Sequence, residues 1–127
     1  MLIKNAHIWV ATFKTAKALE KYMEEDFDAD DEDAPISKFA ADQGVSFYDH
    51  DLVFAEFKKK ATPKSLMEGW DFPEKSKAAV VKAIEALEVE GLNTCFIADG
   101  EEFSKPKSVK KKDYQLWYVG QFKGCNM

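Results

Sequence analysis

Residues 3–13, IKNAHIWVATF, read as a strand whose middle is apolar on both sides. Successive side chains of a strand point to opposite faces, so a strand with one wet face alternates apolar and polar residues. Ile8, Trp9 and Val10 break that alternation. Such a strand belongs in the middle of a sheet covered on both faces.

The rest of the chain supplies strands and helices to surround it. Thr15 is suited to cap a helix over roughly residues 16–26, with Ala16, Leu19, Tyr22 and Met23 on one face. The acidic run that follows ends that helix, because carboxylates at a helix C-terminus oppose its dipole. Pro35 opens a short helix in which Ile36, Phe39 and Ala40 face inward, and Gly44 stops it. A second strand falls within residues 45–58, interrupted at Tyr48-Asp49-His50-Asp51 by a bulge, bend or turn. Thr62-Pro63 reads as a cap and first turn, with Leu66, Met67 and Trp70 on one side of a brief helix.

A longer helix spans roughly residues 73–90, with Asp71 and Glu74 spaced as a capping box and Gly91 just past its end. Val80, Ala83, Ile84 and Leu87 form its apolar stripe. Residues 93–98 read as a short strand, 99–112 as a polar connection, and 113–122 as a last strand. This order predicts an α+β fold: a four-stranded mixed β-sheet packed by helices, with its last two strands antiparallel to each other. At 127 residues and 46% hydrophobic content, with ten phenylalanines, the chain is expected to form one domain over residues 1–127.

Charge is unevenly placed. Residues 1–57 hold five lysines against thirteen acids, a balance of −8, and residues 58–127 hold thirteen against ten, a balance of +3. Eight of the acids sit in ten consecutive residues, EEDFDADDED, beginning at Glu24, and every positive side chain is a lysine. Like charges at that density repel one another and do nothing for folding. An acidic first half would repel nucleic-acid phosphates and attract a basic protein surface. The ordinary reading of such a run is a solvated face; the functional one is a docking surface for a cation-rich partner.

The run does not spell a calcium loop. Asp26, Asp28 and Asp30 match the first, third and fifth positions of an EF-hand, but Asp31 stands at the glycine position and Ser37 at the glutamate position. His50 flanked by Asp49 and Asp51, with His7 as the other histidine, could form a metal site only if these side chains converge. Adjacent strand residues point apart, and His7 is better read as a satisfied, partly buried imidazole. No G-x-S-x-G elbow and no glycine-rich phosphate loop is present. Lysines 58–60 and 105–112 lack the arginine and aromatic pattern of a nucleic-acid module. Cys95 and Cys125 have no metal-type spacing and read as reduced thiols. No secretory signal or membrane span is visible, so a cytoplasmic location is expected.

Several stretches in fixed order resemble a known family. They are His7-Ile8-Trp9-Val10, Phe13-Lys14-Thr15, Asp33-Ala34-Pro35-Ile36-Ser37-Lys38-Phe39, then Asp42, Gly44 and Phe47-Tyr48-Asp49-His50-Asp51, with Asn93-Thr94 further on. Together they are similar to the immunity protein 22 family, most closely over residues 5–57. Phe47 stands where tryptophan would be equally at home, and Ala11 where glycine is expected. The resemblance implies a bacterial cytoplasmic protein that protects its own cell by binding a cognate toxin's C-terminal domain, without catalysis or cofactor. Toxin domains of this kind are often nucleases with lysine- and arginine-lined clefts. The expected contact surface is therefore Glu24, Glu25, Asp26, Asp28, Asp30, Asp31, Glu32 and Asp33, extended by Asp49 and Asp51. Two alternatives stand beside it: a metal-assisted hydrolase using His7, Asp49, His50 and Asp51, and a general acidic interaction domain.

Overall fold

A computed structural model describes residues 2–25 and 34–126. Among the described residues five strands form one sheet: β1 (Leu2–Phe13), β2 (Val53–Phe57), β3 (Thr94–Asp99), β4 (Val109–Lys110) and β5 (Tyr114–Asn126). Four helices accompany them: α1 (Ala16–Met23), α2 (Lys38–Gln43), α3 (Pro63–Leu66) and α4 (Glu74–Ala86). The strand order is β2-β3-β1-β5-β4, which puts β1 in the middle, as its two apolar sides require.

Register sorts the core. Trp9 lies opposite Phe96 and Tyr118, and Ala11 opposite Leu116, on one face. Ile8 lies opposite Ile97, and Val10 opposite Cys95, on the other. Leu19 and Tyr22 of α1 and Phe39 and Ala40 of α2 bury against the first face. Leu66 of α3, Met67 just past its end, and Val80 and Ile84 of α4 bury against the second. Among the described residues no helix is long and apolar enough to cross a membrane.

The sheet differs from expectation in two respects. It has five strands, because Val109–Lys110 within the polar connection pairs with Leu116 and Gln115. A two-residue ladder has no periodicity to read. All its neighbouring pairs are antiparallel, so the sheet is not mixed. β1 and β2 do run in the same direction, as strands joined through helices should, but β3 inserts between them. β3 and β5, expected to be antiparallel to each other, run the same way with β1 between them.

Local chemistry accounts for most element ends. Thr15 accepts the Ala18 N–H at 3.0 Å and starts α1. Thr62 and Ser65 form a reciprocal capping box at α3, with Pro63 in its first position. Gly44, at φ 76°, takes the left-handed conformation that closes α2. Four boundaries move. α1 ends at Met23, α2 starts after Ser37 rather than at Pro35, and α4 has Pro73 as its cap with no side-chain bond. Asp71 lies two residues upstream of that cap, so the Asp71–Glu74 box does not form. α4 also stops at Ala86, before Gly91, with Glu88 itself at φ 54°.

Trp9 anchors the first face. It is fully buried and meets Phe39 at 5.3 Å and Phe103 and Tyr118 at 5.5 Å, all edge-on. Its Nε1 donates to the Lys107 carbonyl at 3.2 Å. Gln43 clamps the same residue, accepting from Lys107 N at 2.8 Å and donating to its carbonyl at 3.0 Å. The lysine-rich connection is thereby pinned through its backbone. Asn93 closes the far end of β1 with paired bonds to Phe13 N and O.

All four tyrosines hold their protons above the usual range. Burial is the main cause for each; Tyr22 and Tyr114 also donate to the same Asp42 oxygen. The unfolded chain releases these protons near the ordinary value of 10.0, whereas the folded chain retains them. Stability is therefore complete below that pH and falls as pH rises past it. In an alkaline titration, tyrosinate absorbance should appear together with loss of circular dichroism in one cooperative step. Phenolate appearing while the dichroism is intact would contradict this.

Candidate functional site

The Tyr48–Asp51 stretch folds as a turn, as its composition suggests. Asp49 caps a 3₁₀ turn over His50–Leu52, its carboxylate accepting the Asp51 N–H at 2.9 Å, and β2 follows at once. This turn meets the end of α1. His50 Nδ1 lies 3.7 Å from Glu25 and its Nε2 lies 3.3 Å from Asp51. Glu102, from the loop after β3, accepts the Asp49 N–H at 2.9 Å. Carboxylates from three separate segments thus gather in one place. The His50 side chain is 63% exposed, so its contacts are screened by water and add little to stability.

Beside this cluster, between α1 and β2, lies a hollow of about 270 Å³. Leu19, Met23, Val53 and Ala55 give it an apolar floor, Tyr48 closes it, and Glu20, Glu25 and His50 rim it. Among the described residues no lysine stands within ion-pair distance of Glu20, Glu25, Asp49, Asp51 or Glu102.

Of the expected contact residues, Glu24, Glu25, Asp49 and Asp51 are described, and Glu25 and Asp51 share the His50 ring. Asp26, Asp28, Asp30, Asp31, Glu32 and Asp33 lie outside the described residues. Two further residues were not read from sequence. Glu102 sits in the polar connection after β3, whose composition carries no sign of this contact. Phe47 is 63% exposed while its neighbour Tyr48 is 1% exposed. Adjacent aromatics give no sequence signal for which one turns outward. A large exposed ring beside a charged cluster is the usual composition of an interface anchor.

The metal-site alternative loses His7. That ring is 5% exposed and its Nε2 faces the carbonyl oxygens of Gly100 at 3.1 Å and Phe103 at 3.0 Å. Carbonyls only accept, so Nε2 carries the hydrogen, and Nδ1 accepts from the Tyr118 hydroxyl at 2.8 Å. Neither nitrogen has a lone pair to offer a metal. His7 is also in register with Ala98 and, through it, Val53, two strand spacings or about 10 Å away. His50 lies beyond Val53. Among the described residues no group of three His, Cys, Asp or Glu side chains has a geometry that could hold a metal ion.

Lysines of the second half serve local structure as well. Lys58 Nζ donates to the carbonyls of Ser65 and Glu68, at the end of α3. Trp70 packs edge-on to Phe54 at 6.3 Å, and its Nε1 is buried with no acceptor among the described residues.

A family model described as Immunity protein 22 matches residues 6–123. No curated protein and no solved structure matches the chain.

Proposed function

The chain belongs to the immunity protein 22 family, and from that premise we propose that it neutralises a cognate toxin domain by stoichiometric binding through its acidic side. The partner is the C-terminal domain of a toxin encoded beside it, a nuclease whose substrate cleft is lined with lysine and arginine. The contact surface comprises the run from Glu24 to Asp33 together with Asp49 and Asp51. One observation carries this reading: Glu25, Asp49, Asp51 and Glu102 converge from separate segments, and no described lysine compensates them. Asp49 and Asp51 are exposed, and like charges gathered beside the partly buried Glu25 and Glu102 repel one another, so stability alone does not account for the cluster. Facing a cationic cleft, the same charges steer association and hold register. Phe47, exposed and two residues before Asp49, adds an aromatic ring that docking would desolvate. The protein works inside the cell that makes the toxin, as an inhibitor with no cofactor of its own.

The test is co-expression with the toxin domain encoded next to the gene. We expect a 1:1 complex on size exclusion, and nuclease activity that falls to zero at equimolar inhibitor. Complete inhibition at far less than one equivalent would indicate catalytic inactivation instead. Failure of the two chains to associate would remove the reading altogether.

A further inference from the structure

We propose that the outer edge of β2 and the hollow beneath α1 form a docking site for an extended, basic segment of the toxin, which adds to the sheet as a sixth strand. The inference rests on the immunity reading above and specifies how the partner is held. Among the described residues β2 is the terminal strand of the sheet. The Lys58 N–H donates to the Asn93 carbonyl across the β2–β3 ladder, so by alternation Phe54 and Glu56 also direct their backbone groups toward β3. Val53, Ala55 and Phe57 therefore present their N–H and C=O groups outward. Their side chains fall on the first face of the sheet, where Val53 and Ala55 floor the hollow. The opposite edge of the sheet is different. β4 covers only Leu116 and Gln115 of β5 and ends in Lys110, followed by Lys111 and Lys112, a charged edge of the kind that disfavours pairing with a basic segment. β2 has its own lysines, Lys58, Lys59 and Lys60, past its end, but among the described residues its hollow side is rimmed by Glu20 and Glu25 instead.

Charge selects the occupant. A second copy of this chain would bring Glu20 and Glu25 against the same carboxylates, and an acidic or phosphorylated segment would be repelled likewise. A lysine or arginine fits: its aliphatic stem lies on Leu19, Met23, Val53 and Ala55 while its cation reaches Glu20 and Glu25. Strand addition supplies affinity through main-chain bonds, and the hollow supplies the side-chain preference.

Amide hydrogen exchange of the full chain, free and mixed with the neighbouring toxin domain, tests this. Exchange at Ala55 and Phe57 should slow by about tenfold or more in the complex. Ala55→Pro removes an outward N–H without touching the β2–β3 bonds, and should weaken binding about five- to tenfold at unchanged urea midpoint. Should that variant fold poorly, Glu20→Gln with Glu25→Gln provides the second arm, with about tenfold weaker binding at low salt. A complex that forms with unchanged exchange at both amides overturns the strand proposal and leaves the immunity reading standing. Absence of any complex overturns both.

Discussion

Replacing Trp9 with alanine is expected to destabilise the protein by about 3–5 kcal/mol, the upper range for truncating a buried ring. Trp9 sits on the central strand, fully buried, where three aromatic edges and one backbone hydrogen bond meet. Its removal costs the transfer energy of the indole and leaves a cavity that the sheet cannot collapse to fill. It also frees the Lys107 segment from one of its two anchors, Gln43 being the other. Domains of this size are stable by about 5–15 kcal/mol, so the loss is a large share of the whole. Urea denaturation should show a lower midpoint with little change in slope. Trp70→Phe is the matched control. It removes a buried donor that has no acceptor among the described residues, so its cost should be well below that of Trp9→Ala. A Trp9→Ala shift equivalent to less than about 1 kcal/mol would mean that the first-face cluster does not hold the fold.

What could be read from sequence, and what could not, divides by range. Thr15, Gly44 and the Thr62-Pro63 pair were legible because a cap is decided within four residues of chain. The central place of β1 was legible because burial on both faces abolishes alternation. Strand order was not, since β1 contacts partners as distant as Tyr118, 111 residues along. Helical connections between β1 and β2 correctly imply a common direction, but nothing local announces that β3 will slide between them. Asp71 and Glu74 had capping-box spacing, yet Pro73 took the cap position itself. At the candidate site the acids were legible as composition only. That Glu25 and Asp51 meet at one imidazole depends on how α1 returns over β2, and the hollow exists only through that packing. The satisfied state of His7 was expected from its apolar neighbours, though its partners, the Gly100 and Phe103 carbonyls, were beyond reach.

Substituting serine for four or more of Glu24, Glu25, Asp26, Asp28, Asp30, Asp31, Glu32 and Asp33 should slow association with the toxin domain by about ten- to a hundredfold at low salt. The expectation follows from how charge acts at a distance. Exposed carboxylates add almost nothing to stability, so the urea midpoint should stay or rise slightly as mutual repulsion is relieved. Their field extends about a Debye length, roughly 10 Å at 0.1 M salt, and accelerates encounter with a cationic cleft before any contact forms. Dissociation depends instead on groups desolvated in the complex and should change less. The variant's association rate should therefore be nearly flat with salt where the parent's falls steeply. Substituting Asp49 and Asp51 alone separates the two parts of the surface. If that pair slows association in proportion to its share of the charge, steering is a property of the whole acidic side. If it instead speeds dissociation, the 3₁₀ turn is in direct contact, alongside Phe47. An association rate unchanged in every variant at low salt would place the toxin on another face, and the acidic side would revert to a merely solvated one.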